Sequence, residues 1–527
     1  MNPAAASAPS TFPRPQAKHL LYGLIASLPF SDFLQTGIVA FSAAPIMGDI
    51  AAGPEEYSLV ATLYAVVAIG MIALQRRLVE LLGWRRLVQA AGLLFGLGAV
   101  VCGLAGSLAG FAAGRLVMAL GCASFMTAAR MLVNHIPPSP RRFTGIRFLA
   151  GGLAWGLAAG PLLASWALAS QNWRAAFFLM AVPAALIALL AQRAPMDEVA
   201  QPRPGTRSPS MSLLAVAALM GGSFAALHAL QRSGFDFFGE PHRLLMWGAL
   251  AFPVLWLFVR LNRQGGGALI VFASLAQRRY LLGMGVFATA YLVLGANSIM
   301  LPVLLQRALG LPLEGVGRYL GCGALAGVAT LIVVTRLLPR RPGPTPYYLA
   351  GFGALLLCGW QLSRLSEGAD PWLSVLPALL CNGAFVMAVL PVTAMQTFMK
   401  LQHDEETFSH ANQLKNMLSQ FGIAAGMALA TLLMQWRSNL HYARLTETLS
   451  PSNLALGPAL EQLTRWFAST QDPSAAPRMA LAQLAAWVAQ EAALMGALDY
   501  FVILSWFAAC CLGLVMAEGA WRKLAAP

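Results

Sequence analysis

Residues 20–48 read LLYGLIASLPFSDFLQTGIVAFSAAPIMG. The stretch exceeds the about 20 apolar residues that a membrane-spanning helix needs, and its single charge is Asp32. A carboxylate at bilayer depth is costly unless it is paired, hydrated or protonated, so an intramembrane acid marks function by default. The chain has 21 Asp and Glu, and the hydropathy pattern predicts that all the others sit in loops or at helix ends. Asp32 is therefore the candidate for taking up and releasing a proton.

The rest of the chain has the same character. Of 527 residues, 58% are hydrophobic and 11% charged, against roughly 45–50% and 25% in ordinary soluble domains. This predicts an all-α polytopic membrane protein. Apolar runs of spanning length fall near 19–42, 57–75, 87–107, 111–134, 147–169, 174–192, 211–230, 243–261, 281–303, 315–336, 346–363, 372–399, 413–436 and 496–519. Fourteen spans would use roughly 280 residues, in keeping with the apolar content.

The net charge of +14 does not call for nucleic acid. The basic residues cluster in alternate loops, at Arg76–Arg77 and Arg85–Arg86, Arg141–Arg142, Arg193 to Arg207, Arg260 to Arg279, and Arg336 to Arg341. By the positive-inside rule these loops, and with an even span count both termini, are expected in the cytoplasm. The seven Cys all fall in apolar runs and are expected to be small core residues, not a disulfide or metal framework.

Residues 1–18, rich in Pro and Ala, are expected to be a disordered cytoplasmic terminus. Residues 19–192 form a six-helix half, and 193–210 (RAPMDEVAQPRPGTRSPS) a cytoplasmic linker. Two further helices occupy 211–261, a second six-helix half 281–519, and a cytoplasmic tail 520–527. The basic loops at Arg85–Arg86 and Arg340–Arg341 hint at a distant repeat. Two six-helix halves around a cleft are the expected build of a secondary transporter. Within the second half, 437–495 reads as a long outer loop broken by Pro and Gly into short amphipathic helices.

Several motifs sharpen this. Asn172-Trp173-Arg174-Ala175-Ala176-Phe177-Phe178 is followed by Pro183; LPVLLQRALGLPLEGVG (301–317) contains Gln306 and Gly310; QEAALMGALDYF (490–501) contains Asp499 and Phe501. In order and spacing these resemble the fourteen-helix drug:proton antiporters of the major facilitator superfamily, over essentially the whole chain. The loop RRLVELLGWRR resembles the superfamily's loop motif, with Arg76 in place of the first Gly, Glu80 in place of Asp, and Gly83, Arg85 and Arg86 fitting. An acid and an Arg cluster there suggest ion pairs that latch one conformation. Arg115, in Gly114-Arg115, resembles the superfamily's helix-4 arginine. Asp32 is the one deep acid of the same half and so its expected partner. Gly152, Gly156, Gly160 and Pro161 resemble the antiporter motif, with Ala164 and Ser165 where two Gly are usual; small residues at this spacing allow close helix packing. Helix 1 departs from the pattern. Aligning Ile38-Val39 and Pro45 puts Gln35 where the family has its acid, one helical turn from Asp32.

The resemblance implies a major facilitator fold of fourteen helices (six, two, six) in the inner membrane of a bacterium. It implies proton-coupled efflux of amphipathic or lipophilic small molecules by alternating access, driven by the proton gradient with no other cofactor. It also implies a periplasmic adaptor and an outer-membrane channel as partners of 437–495. Asp32 and Arg115 would carry proton coupling, and Gln35, Asn297, Asn382 and Gln396 are candidates to line the cleft. Two alternatives remain open: uptake by symport on the same fold, against which the Gly160-Pro161 context argues, and a polytopic membrane transferase. A transferase would need acid or His clusters near a membrane face, and Glu447, Glu461 and Asp472 are scattered. No metal site and no glycine–lysine nucleotide loop is present in the sequence.

Overall fold

The computed structural model describes residues 15–137, 139–195, 212–264, 269–366, 368–449, 456–470 and 472–524. Most of the 1–18 terminus, most of the 193–210 linker and the end of the 520–527 tail lie outside them. Twelve helices among the described residues are long and apolar enough to cross a membrane. We label the helices α1 (Pro15–Phe41), α2 (Ala43–Asp49), α3 (Pro54–Leu104), α4 (Leu108–Cys122), α5 (Phe125–His135), α6 (Pro140–Ala169) and α7 (Trp173–Arg193). After the linker come α8 (Leu213–Asp236), α9 (Pro241–Gln264), α10 (Arg278–Val303), α11 (Leu313–Leu337), α12 (Thr345–Leu362) and α13 (Leu376–Phe398). The chain ends in α14 (Glu405–Thr448), α15 (Leu456–Thr470) and α16 (Ala476–Leu524).

α3 has 51 residues, about 76 Å at helical rise and more than twice a bilayer core. It is broken at Gly83, where φ is 75° and ψ 160°, a backbone region open essentially to glycine alone. A Cβ there would meet no atom within 4 Å, so the cost of a side chain is conformational and not steric. Gly83→Ala is expected to lower stability by about 1–3 kcal/mol, read as a fall in melting temperature of the purified protein.

The halves are tied along two seams. In the first, α6 packs on α11: Ser165 Oγ donates to the Glu314 carbonyl, and Phe143 packs against Val334 and Leu338. In the second, α3 meets α14 at the end carrying the basic loops, where Gln413 Nε2 donates to the Ile72 carbonyl at 2.9 Å. Farther from that end α8 stands between them. Arg232 pairs with Glu55 of α3 at 2.5 Å, and Gln435 Nε2 of α14 donates to the Gly234 carbonyl of α8 at 2.5 Å.

The segment 437–495 differs from the sequence reading. Two of its three amphipathic pieces continue neighbouring helices: α14 runs unbroken to Thr448 and α16 starts at Ala476. The physical reason is the absence of breakers, since neither Pro nor Gly occurs between Gly426 and residue 449, or between Pro477 and Gly496. Only α15 is a separate short helix, seated through Phe467 on Ala476 and Ala480 of α16. Asp499 and Glu491 thus lie inside a continuous helix and not at a helix end.

Candidate substrate cavity and coupling site

Between the halves lies a cavity of about 450 Å³, within the range of small-molecule sites. Its wall is mostly apolar, and its lining includes Met47 of α2 and Leu313 at the start of α11. Asp32 lines it. α1 puts Asp32 and Thr36 on one face by four-residue spacing, and Thr36 Oγ1 donates to the Asp32 carbonyl at 2.8 Å. Cys122 Sγ at the end of α4 donates to Asp32 Oδ1 at 3.2 Å.

The expected Asp32–Arg115 pair is replaced by another. Arg115, 5% exposed, donates from Nη1 to Gln35 Oε1 at 2.8 Å and stacks over the Tyr64 ring at 4.1 Å. Gln35 in turn donates to Tyr64 Oη at 3.0 Å and to Thr36 Oγ1 at 2.9 Å. Gln35 is 2% exposed and sits behind the cavity wall, not on it. Residues 32 and 35 lie one turn apart on similar faces of α1, where the Gln35 amide holds the arginine and the Asp32 carboxylate lines the cavity.

Asn297 and Asn382 do line the cavity, joined at 2.7 Å, with Tyr500 Oη donating to Asn297 Oδ1 at 2.6 Å. Gln306 also reaches it. Gln396 does not. It lies at the basic-loop end, where Arg279 donates to its carbonyl at 2.9 Å and its own amide donates to Pro342 O at 3.1 Å.

Lys415 was missed in sequence. It lines the cavity on α14 and is close enough to Asp32 for the two charges to attract. Its Nζ donates to Asn416 Oδ1 at 2.7 Å, and Asn416 Nδ2 donates to Thr127 Oγ1 of α5 at 2.9 Å. The sequence reading began this helix at residue 413, which left Lys415 at its end. The available signal was Asp404-Glu405-Glu406: Asp404 is the N-cap, accepting from Glu406 N at 3.2 Å. A start there puts Lys415 eleven residues in, about 16 Å along the axis.

The loop motif forms ion pairs, but with different partners from those its sequence suggests. Glu80 pairs with Arg76 at 3.3 Å and Arg77 at 3.7 Å. Arg85 donates to the carbonyls of Gln192 of α7 and, at 3.1 Å, of Ala194, which caps that helix, while Arg86 is exposed. The link between halves is made by Arg76, whose substitution for Gly supplies a guanidinium 2.5 Å from Glu406 and 3.1 Å from His410 of α14. His135 adds a contact with Glu405 at 3.4 Å. Together these contacts bridge α3 and α5 to α14 at the basic-loop end. Both partners of the Arg76–Glu406 pair are partly exposed, so its worth is small. Glu406→Gln is expected to raise maleimide labelling of Cys122 from that end about two- to fivefold, measured in a variant that keeps Cys122 as its one cysteine.

The small-residue stripe on α6 faces α1. A methyl on Gly156 would lie 2.5 Å from the Phe30 carbonyl oxygen, and one on Gly160 would lie 2.9 Å from Gly37 Cα. Pro161 lines the cavity. Trp173 and Arg174 clasp α2, both donating to Asp49 Oδ2, the Trp173 indole at 3.1 Å, while Arg174 also donates to the Ala105 carbonyl at 3.0 Å. The Arg174 hydrogen bond holds the Asp49 carboxyl below its usual range. The clasp therefore persists at neutral pH and loosens only as pH falls through that lowered value. Asp499 ties α16 to α14, with Arg437 and His441 each 2.6 Å away.

A sequence profile for the Major Facilitator Superfamily matches residues 25–437. The chain belongs to the Major Facilitator Superfamily. Curated relatives carry transporter names. An uncharacterized MFS-type transporter YhcA of Bacillus subtilis is 22% identical over 436 residues, covering 82% of this chain and 80% of that protein. Colistin resistance protein EmrB of Acinetobacter baumannii is 21% identical over 470 residues, covering 85% and 86%. Putative multidrug resistance protein MdtD of Salmonella typhi is 24% identical over 408 residues, covering 77% and 84%. Among solved structures the chain is similar to a bacterial homologue of the human lysosomal transporter Spinster, with a TM-score of 0.53 at 14% identity, covering 96% of this chain and 98% of that one; that likeness concerns the fold alone. As a Major Facilitator Superfamily member with transporter-named relatives, the protein is a multi-pass membrane transporter and not an enzyme.

Proposed function

We propose that this transporter exports amphipathic or lipophilic small molecules in exchange for protons, by alternating access of the cavity between its halves. The observation that carries the reading is the carboxylate of Asp32 on the cavity wall, where a proton and a substrate would compete for the same charge. The small-residue stripe around Gly160-Pro161 and the multidrug names of relatives such as MdtD support it. The proton gradient is the energy source and no further cofactor is invoked. Counting the arms of α3 separately and adding α12 gives fourteen passes. The basic loops then face the cytoplasm with both termini, in a bacterial inner membrane. The extensions of α14 and α16 with α15 would stand in the periplasm, where they would meet an adaptor leading to an outer-membrane channel. Photo-cross-linking from residues 456–470 is expected to capture such an adaptor; capture confined to lipid would count against it.

The decisive test is proton movement in inverted vesicles energised to an acidic interior. Addition of a transported lipophilic compound is expected to dissipate the pH gradient, and the compound is expected to accumulate inside. Accumulation with no proton movement would overturn the coupling.

A further inference from the structure

Of the described residues that line the cavity, one is an acid, Asp32, and one a base, Lys415. They come from opposite halves, on α1 and α14. Behind Lys415, Arg130 of α5 lies 4.8 Å from the Phe398 ring and adds a second positive charge to the region. Beside the acid and base stand the polar Thr36, Asn416, Ser419 and Gln420, and the rest of the wall is mostly apolar or aromatic, with Phe33 and Tyr291 among its residues. From this juxtaposition we infer that the substrate is an amphipathic zwitterion, its cationic group received by Asp32 and its anionic group by Lys415. The inference rests on the efflux reading above and gives it a substrate class.

The argument is one of charge complementarity in a poorly hydrated site. A simple cation that met Asp32 would also face Lys415 and Arg130. A simple anion that met Lys415 would set its charge against Asp32. Either leaves one protein charge repelled where repulsion is weakly screened. A neutral molecule gains nothing from separating the two side chains, which attract each other when the cavity is empty. A zwitterion satisfies both at once. Lysine supplies three donors, one of which is taken by Asn416, leaving two for a carboxylate or phosphate. The arrangement also suits exchange. Protonation of Asp32 removes the charge that holds the cationic end, so proton and substrate compete, whereas a simple anion would bind better to the protonated site and would travel with the proton. Because the two groups belong to different halves, a substrate that touches both bridges the cleft.

The test compares three probes that share one octyl chain: N-octyl-N,N-dimethylglycine, octyltrimethylammonium and octanoate. Each is titrated by calorimetry into the full-length protein in lipid nanodiscs, with empty nanodiscs subtracted. The zwitterion is expected to bind at least about tenfold more tightly than either single-charge probe, the effect of one charge-assisted contact. Lys415→Gln is expected to reduce the zwitterion to the affinity of the cation, and Lys415→Arg to preserve the preference. Equal affinities in the wild type would overturn the inference without recourse to any variant. So would a zwitterion preference that survives in Lys415→Gln. Proton release on binding, read in lightly buffered solution, separates the two readings: a zwitterion preference without proton release overturns proton coupling and leaves the substrate class standing.

Discussion

Asp32→Asn is expected to reduce substrate-driven proton movement in inverted vesicles to the level of vesicles without the protein, a loss of at least about a hundredfold, as when a proton-transferring side chain is removed. The substitution keeps the shape of the side chain and the oxygen that accepts from Cys122, so the fold is expected to survive. What disappears is the ability to change charge. Gln35→Ala makes the contrasting case. It removes the acceptor of the Arg115 hydrogen bond, and a buried guanidinium that loses a partner costs about 1.5–3 kcal/mol. Thermal stability should therefore fall while proton coupling persists. Undiminished exchange in Asp32→Asn would sink the proposed proton role.

Gly156→Leu is expected to abolish the folded transporter. The first carbon of the new side chain would already lie 2.5 Å from the Phe30 carbonyl oxygen and 3.1 Å from the Phe30 Cα, and three more carbons would follow. The obstacle is the backbone of α1, which cannot rotate aside as a side chain can. Overpacking against a rigid neighbour is expected to cost at least about 3 kcal/mol. The readout is a monodisperse peak on size-exclusion chromatography in detergent, lost in the variant. Gly151→Leu, five residues earlier on the same helix, is the control, because a Cβ there meets no atom within 4 Å. If both variants purify alike, the α1–α6 contact is not as tight as described.

Much of the fold was legible because a bilayer imposes a simple rule. Spans must be long and apolar and their backbones internally bonded, so most membrane helices appear in the sequence as runs. Errors arose where helices outlast their apolar runs. Hydropathy marks the apolar part of α14 and α16 and falls silent at their polar ends, although α14 runs unbroken from residue 405 to residue 448 and α16 starts back at residue 476. That silence cost Lys415, which was read as a helix end, and it made Asp499 an entry residue when it is a mid-helix clamp. The site was legible in parts. Asp32, Asn297 and Asn382 are polar residues in apolar runs, and all three line the cavity. Gln396 is equally polar and equally embedded in sequence, yet it faces Arg279 at the basic-loop end.

The sequence by itself determined that this is a multi-pass membrane protein, that Asp32 is its acid in the first span, and that Gly83 and the Gly156–Gly160 stripe hold special positions. Each follows from the cost of placing a given side chain in lipid, at a turn or between helices. Only the tertiary structure decided who meets whom. Arg115 takes Gln35 and not Asp32, Arg76 reaches across to Glu406, and Lys415 faces Asp32 over a cavity. Partners 80 to more than 300 residues apart are chosen by the direction in which each helix face points once packed, and hydropathy carries no information about that rotation.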